Sequence, residues 1–363
     1  MKARSTTPLD LAGSAYRRGQ AQAELCPDKA EAVRAAVRGR LAPLVGHLAR
    51  PEVGGWLAAQ KAYADTVAGD DLDELRGIAD GFGLGFDELF AYLHLGTLND
   101  MAVLAAGETD GCTAWASRHP RHRAILCKNR DFRGEHVGLQ RVFRHTDPAW
   151  GGRRNLCVGS LGSPGAYSSG INSDGLAVAD TAIGTTDHGV GLLRYFVMTR
   201  LLVGTSTVAG ALDKLGTLDH AGGGSIVLAD ATGAVAAVEL GYRRLGAEKG
   251  KAGWVARTNH FVSPGLAEAF LPAPGDPMAV SSVGRLATVR AGVAAWATGG
   301  NIDAAAQLMA SHDRGATGDI GLCRHGQDGD ASTISTAIFA CDAPTLYFCP
   351  GNPCDREWLS YAP

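Results

Sequence analysis

The chain has 363 residues, 45% hydrophobic and 20% charged, an ordinary globular balance that can bury a sizeable core as one large domain or two smaller ones. Its net charge is -3, from 34 basic against 37 acidic residues, and no basic stripe is visible, which speaks against nucleic-acid binding. Residues 1–30 hold no apolar signal core and no apolar run is long enough to span a bilayer, so no membrane partner is expected.

The cysteines are scattered: Cys26, Cys112, Cys127, Cys157, Cys323, Cys341, Cys349 and Cys354. None forms a CxxC pair, and the spacing supports neither a zinc site nor a disulfide framework. The expectation is reduced thiols in a cytoplasmic protein, with no metal and no cofactor.

Residues 10–26 read as a helix that Pro27 ends. Asp28 is placed to cap a second helix, along which Val33, Val37, Leu41, Leu44, Val45 and Leu48 recur at helical spacing. Pro43 predicts a kink or break near Leu41. A third helix is predicted from Trp56 to Val67. Asp70, Asp71, Asp73 and Glu74 then crowd the start of another, where acids suit the positive end of the helix dipole. Gly81-Phe82-Gly83-Leu84-Gly85 reads as a turn, and Asp87 as the cap of a helix from Glu88 to Ala105. This almost entirely helical segment holds no cluster that looks catalytic. Its plain reading is a helical cap packed on the rest of the chain.

The character changes at Thr113. Thr113–Ser117 and Arg123–Lys128 read as two strands joined by a polar turn. Further strands are predicted at Leu139–Arg144, Asn155–Ser160, Ala166–Ile171 and Gly175–Thr181. Two helices come next, Leu192–Val203 and Thr207–Lys214. Ser225–Ala229 and Ala234–Leu240 flank Asp230-Ala231-Thr232-Gly233, a hairpin signal. Trp254–Thr258 is another strand. Ser282–Thr298 is a helix, Asn301 caps a shorter one, and Thr336–Cys341 and Thr345–Cys349 close the chain. Hairpins, then helices, then hairpins do not give βαβ alternation. They suggest an α+β protein with two mainly antiparallel sheets and helices packed outside. No GxGxxG, P-loop or GxSxG occurs.

At the junction stands Glu108-Thr109-Asp110-Gly111-Cys112-Thr113. A thiol becomes a strong nucleophile when a nearby base takes its proton. At a chain N-terminus the free α-amine can do this, with an ordinary pKa of about 7.7–8.0. Cys112 gains that amine only if the Gly111–Cys112 bond is cut. Gly111 allows the backbone twist that lets the thiol attack the Gly111 carbonyl. Taken alone, a free cysteine is usually a buried structural thiol.

The company Cys112 keeps changes that reading. Asp110-Gly111-Cys112-Thr113 followed by Cys127-Lys128-Asn129-Arg130-Asp131-Phe132 resembles the opening of an N-terminal nucleophile hydrolase. The likeness is to the isopenicillin N acyltransferase (acyl-CoA:6-aminopenicillanate acyltransferase) family and, more broadly, to choloylglycine hydrolases and penicillin V acylase. It runs over most of the chain, through Gly77-Ile78-Ala79-Asp80-Gly81, Ile171-Asn172-Ser173-Asp174-Gly175-Leu176, Thr258-Asn259-His260-Phe261, Ser281-Ser282-Val283-Gly284-Arg285-Leu286, Cys323-Arg324-His325 and Gly351-Asn352-Pro353-Cys354.

The resemblance implies an αββα sandwich, with 1–111 as a helical pro-segment and 112–363 as the catalytic domain, the two packed as one unit. It implies Cys112 as nucleophile, its α-amine as base, and Asp131 holding that amine. Asn172 and Asn259 would form the oxyanion hole and Arg285 would sit beside the thiol. Lys128 falls where bile salt hydrolases carry an Arg, which keeps the charge but loses the planar fork. Arg324 is a second candidate for the cationic role, and His260 a supporting residue. Each has a plainer alternative. Asp131 could pair with Arg130 or Arg133 on the surface, Asn172 could be a turn residue, and Arg285 could be solvated on a helix.

The reaction so implied is cleavage of a small non-peptide amide through a thioester, with no cofactor and with the two fragments of the chain as a heterodimer. The absence of a recognisable CoA-binding feature favours hydrolysis over transfer from an acyl thioester. The alternatives are an acyl-CoA-dependent N-acyltransferase and a non-processing relative that acts as a binding protein.

Overall fold

The computed structural model describes residues 2–102, 111–132, 134–272, 278–296, 301–312, 320–326 and 331–363. Glu108, Thr109, Asp110 and Arg133 lie outside them.

In chain order the strands are β1 (Ala3–Ser5), β2 (Leu9–Ala12), β3 (Gly111–His119), β4 (Arg123–Phe132), β5 (Gln140–Thr146), β6 (Arg154–Ser160), β7 (Ser169–Asn172) and β8 (Ala177–Ala182). They continue as β9 (Gly224–Ala229), β10 (Val235–Leu240), β11 (Leu245–Lys249), β12 (Trp254–Arg257), β13 (Ser332–Ala340), β14 (Thr345–Pro350) and β15 (Trp358–Tyr361). The helices are α1 (Ala15–Leu25), α2 (Ala30–Leu41), α3 (Val45–Leu48), α4 (Pro51–Val67), α5 (Gly69–Phe82) and α6 (Phe86–Leu93). After them come α7 (Leu95–Ala102), α8 (Arg194–Gly204), α9 (Val208–Leu215), α10 (Pro264–Ala267), α11 (Met278–Ala294) and α12 (Ile302–Met309).

The strands form two sheets. One runs β1-β15-β14-β13-β4-β3-β12, the other β11-β10-β9-β8-β7-β6-β5-β2. Pairing is antiparallel except for β1 on β15 and β2 on β5. The facing surfaces bury small and branched residues such as Ala114, Ala116, Val158, Ala179 and Val227, with Phe339 from the first sheet. The outer face of the first sheet packs Trp115 and Ile338 against Val289 of α11 and Met309 of α12. The outer face of the second packs Val178 and Ile226 against the remaining helical layer, including Leu72 of α5 and Met198 of α8. This is the αββα sandwich that the resemblance implied.

The first 102 residues are not simply helical. β1 adds an edge to one sheet and β2 an edge to the other. Strands of three and four residues carry no readable alternation, and only their partners make them strands. The break at Pro43 is present as a 3-10 turn between α2 and α3. Asp28 does not cap α2. It lies inside a 3-10 turn that precedes the helix. The helix expected from Glu88 to Ala105 is divided at His94, and its last residues lie outside the described ones. Helices α1 and α5 touch backbone to backbone. A Cβ on Gly77 would sit 2.0 Å from the Tyr16 carbonyl oxygen, and one on Gly19 2.1 Å from that of Glu74. Only glycine fits at this crossing, which is why the Gly77-Ile78-Ala79-Asp80-Gly81 stretch is glycine-bounded.

Candidate active site

The site grows from the β3–β4 hairpin, whose register pairs Gly111 with Asp131, Cys112 with Arg130, Thr113 with Asn129 and Ala114 with Lys128. Side chains alternate across a strand, and directly paired residues share a face. Ala114 and Ala116 belong to the core between the sheets and Trp115 to the core under α11 and α12. Cys112, Lys128 and Arg130 therefore share the inter-sheet face. Thr113, Asn129 and Asp131 share the face toward the helices.

Cys112 is half-buried, and its backbone is held at both ends. Its amide donates to Asn259 Oδ1 at 2.8 Å, and its carbonyl accepts from Arg285 Nη1 at 2.5 Å. Asn259 lies two residues past the end of β12. Its own amide donates to Ser282 Oγ at 2.8 Å, which anchors it on α11. Its Oδ1 also accepts from Arg285 Nη2 at 2.9 Å, while Nδ2 donates to the Ala182 carbonyl at 2.9 Å. Two donors converging on one atom fix which end of this amide is oxygen. Asn259 thus ties β3, α11 and the end of β8 to one point.

Arg285 is fully buried, so the solvated-helix alternative falls. Its fork reaches the Cys112 carbonyl, Thr113 Oγ1 at 2.9 Å and Asn259 Oδ1, and Nε donates to Ser281 Oγ at 3.2 Å. Burial pulls its pKa down, opposed by Asp131 and Cys112, and guanidinium stays charged even so. The guanidinium grips the backbone at the cysteine through its carbonyl.

Asp131 is fully buried and faces away from Arg130, which rules out a surface pair between them. Its Oδ1 accepts from Thr333 Oγ1 at 2.7 Å. Its Oδ2 has no hydrogen-bond partner among the described residues. The space in front of that oxygen is Gly111. A Cβ there would stand 3.0 Å from Asp131 Oδ2 and 3.2 Å from Arg324 Nη1. Arg324 is thereby placed at the bond before Cys112. Its backbone is pinned to β13, its amide donating to Thr333 Oγ1 at 2.9 Å.

The remaining residues are distributed differently. Lys128 is buried and donates to the Asp180 carbonyl, with Oδ1 of the same residue at 3.4 Å. Asp180 also takes Arg194 Nε at 2.6 Å, so Lys128 is committed to a buried ion-pair cluster. His260 reaches Ser282 Oγ at 2.7 Å, and burial, the largest of several influences, holds its pKa below the usual histidine value. Asn172 is not brought to Cys112. It ends β7 beside the start of β8, whereas Asn259 holds the far end of β8 at Ala182. Its Nδ2 donates to Leu202 O and Thr205 O, and its Oδ1 accepts from the Asp174 and Leu176 amides. The amide is spent on the turn and on the end of α8.

Sequence reasoning passed over four contributors: Ser282, Thr333, the Ala182 carbonyl and Arg130. Arg130 alone was locally readable, because the hairpin register sets it opposite Cys112. It is buried, donates to Gln140 Oε1 at 3.2 Å and Ser160 Oγ at 3.1 Å, and lies over the rings of Phe132 and Tyr167 at 4.7 and 5.0 Å. A cluster of potential ligands also forms that no sequence spacing marks. His312, Cys323, His325 and Cys354, distant in sequence, bring four ligating atoms within 4.8 Å of one another. Among the described residues, no helix is long and apolar enough to cross a membrane.

The family described as acyl-coenzyme A:6-aminopenicillanic acid acyl-transferase matches residues 118–355. Among proteins of curated function, none matches this sequence. Among solved structures, two variants of the conjugated bile acid hydrolase from Clostridium perfringens are similar at 12% and 13% identity, with TM-scores of 0.43 and 0.46. Each likeness covers 69% of this chain and 97% of the other. Penicillin V acylase from Agrobacterium tumefaciens is similar at 13% identity and a TM-score of 0.40, covering 66% of this chain and 83% of the other.

Proposed function

The chain belongs to the acyl-coenzyme A:6-aminopenicillanic acid acyl-transferase family, and on that premise we propose that it is a self-cleaving cysteine enzyme acting on a small amide through a thioester on Cys112. One observation carries this reading. The backbone of Cys112 is held on both sides of its Cα, its amide by Asn259 and its carbonyl by Arg285, and Gly111 lies against an Asp131 oxygen that has no hydrogen-bond partner among the described residues.

In the first step Cys112 Sγ attacks the Gly111 carbonyl carbon. The carbon–nitrogen bond breaks, the Cys112 nitrogen gains a proton, and water hydrolyses the resulting thioester. Residues 1–111 then end in a new carboxylate, and Cys112 keeps a free amine. Loss of the Gly111 link lets that amine approach Asp131 Oδ2, which has no hydrogen-bond partner among the described residues. An unpaired buried carboxylate oxygen is costly, so the pairing is favourable.

In the working enzyme the amine takes the thiol proton as Sγ attacks the acyl carbonyl of the substrate. Asn259 Nδ2 spends one N–H on the Ala182 carbonyl and with its second stabilises the oxyanion, a contribution worth roughly 3 kcal/mol for a preorganised donor. The leaving amine departs with the proton and the acyl group stays on sulfur. Water then completes hydrolysis, or a second amine completes transfer. The family description supports the transferase reading, with an acyl-CoA thioester as donor. The fragments stay together as a heterodimer, because β1 and β2 are edge strands of the sheets that residues 112–363 build.

The test is an intact mass under denaturing conditions, beside Cys112→Ala. The expected result is two fragments divided at Gly111–Cys112 in the wild type and one uncut chain in the variant. Activity of the variant against N-acyl amides and acyl thioesters is expected to fall by about 10^5-fold. An uncut wild-type chain that still turns over substrate would remove the free amine from the mechanism.

A further inference from the structure

Beyond the thioester chemistry, four side chains meet at one point on the outer rim of the first sheet. His312 comes after α12, Cys323 and His325 lie in the segment leading to β13, and Cys354 lies in the turn after β14. Their contacts centre on one nitrogen. His325 Nε2 lies 3.2 Å from His312 Nε2, 3.6 Å from Cys323 Sγ and 3.2 Å from Cys354 Sγ. The two sulfurs are 3.7 Å apart. A single ring nitrogen makes one hydrogen bond, as donor or as acceptor. Three polar atoms around it cannot all be satisfied that way.

A shared cation satisfies all of them. Zinc bonds thiolate at about 2.3 Å and imidazole at about 2.0–2.1 Å. At tetrahedral angles those lengths put sulfur about 3.8 Å from sulfur, sulfur about 3.5 Å from nitrogen, and nitrogen about 3.3 Å from nitrogen. The four separations given lie within about 0.3 Å of those values, and the other two, from His312 to the sulfurs, lie within 4.8 Å, so His312 closes in to complete the tetrahedron. The sulfur separation is far beyond a disulfide bond of about 2.05 Å. Asn352 Nδ2 donates to Cys323 Sγ at 3.4 Å, the outer hydrogen bond that a metal-bound thiolate accepts.

We infer that His312, Cys323, His325 and Cys354 form a structural zinc site. Two thiolates balance the charge of one divalent ion, and a soft sulfur–imidazole set in a tetrahedron selects zinc over oxygen-seeking cations. Four protein ligands close the coordination, so the ion holds the fold and carries out no chemistry. What it holds matters to the neighbouring site. Arg324 stands between two of the ligands, and its carbonyl accepts from Asn352 Nδ2 at 2.6 Å while its guanidinium lies against Gly111. The ion therefore fastens the end of α12, the Arg324 segment and the β14 turn together. The binding claim stands without the proposed function, and only the coupling to cleavage rests on it.

The experiment is metal analysis of the full-length protein purified without chelator, followed by cobalt titration of the chelator-stripped protein. The expected result is about one zinc per chain, and a cobalt spectrum with tetrahedral d–d bands and a thiolate charge-transfer band. Cys323→Ser with Cys354→Ser is expected to lose both. His312→Ala, at an exposed position, keeps the fold and binds at least ~10-fold more weakly. The inference is overturned if the wild type neither retains zinc nor gives the cobalt bands. It is equally overturned if the double serine variant keeps its metal, or if peptide mapping of unreduced protein finds Cys323 joined to Cys354. Intact mass of the stripped protein reports cleavage separately, so a failure of processing and a failure of metal binding are told apart.

Discussion

The two faces of the β3–β4 hairpin meet very different surroundings. Toward α11 and α12, Thr113, Asn129 and Asp131 sit in a network of amides, hydroxyls and the Arg285 guanidinium, with that of Arg324 close to Asp131. Asn129 is saturated, by Met309 O, Leu322 O and Thr336 Oγ1. Toward the second sheet, Cys112 shares its face with two buried cations. Lys128 has a carboxylate in Asp180. Arg130 has none among the described residues, only Gln140, Ser160 and two aromatic rings. The helix face is built to fix a backbone. The inter-sheet face keeps a cation that no carboxylate among the described residues neutralises, beside the proposed nucleophile. Burying an unbalanced cation costs stability, and such a cost is commonly kept where function needs it.

The strongest way to break the comparison is Arg285→Ala. Four acceptors then lose a charged donor, and stability is expected to fall by about 3 kcal/mol. Urea unfolding checks this, and intact mass reports the accompanying loss of self-cleavage. Arg285→Lys keeps the charge but cannot span the Cys112 carbonyl, Thr113 and Asn259 together, so it is expected to fall between the two. If Arg285→Ala unfolds like the wild type, the helix face is not the clamp described.

The inter-sheet face is sharpened by a pair. Lys128→Met strips Asp180 of one of its two cations, and Arg194 remains, so a loss of about 2 kcal/mol is expected. Arg130→Met removes a cation that has no carboxylate partner among the described residues, so its stability is expected to stay within about 1 kcal/mol of wild type. Its activity is expected to fall, seen as a raised KM for acyl substrates. Equal destabilisation by both changes would mean that Arg130 is an ordinary structural cation.

How much of this was legible depends on distance along the chain. The hairpin was readable because alternation and turn chemistry are local, and once its register is fixed Arg130 must face Cys112. Asn259 and Arg285 were marked only by the motifs around them. Their meeting needs β12, α11 and β3 to assemble, which no window of sequence records. Thr333 reaches Asp131 from 202 residues away, and nothing in Ser332-Thr333 announces it. Asn172 shows the opposite limit. An Asn-Ser-Asp-Gly turn reads equally as structure or as site, and only the four hydrogen bonds of its amide place it with the turn. The Cys323 and Cys354 thiols are 31 residues apart, outside any motif spacing, and they converge because β13 and β14 pair.

The smallest effect is the most discriminating for the clamp. Thr113 is fully buried, and its hydroxyl accepts from Arg285 Nη1, the same nitrogen that holds the Cys112 carbonyl. Thr113→Val keeps the side-chain shape and removes that acceptor alone. Nη1 retains the carbonyl and Nη2 retains Asn259, so the guanidinium stays in place. The expected loss is about 1 kcal/mol, the usual worth of one hydrogen bond. Self-cleavage should slow less than tenfold, roughly the same energy read as a rate. A loss matching that of Arg285→Ala would show that the hydroxyl positions the whole fork. No loss at all would assign the grip to the carbonyl and Asn259, and Thr113 would then belong to the strand rather than to the site.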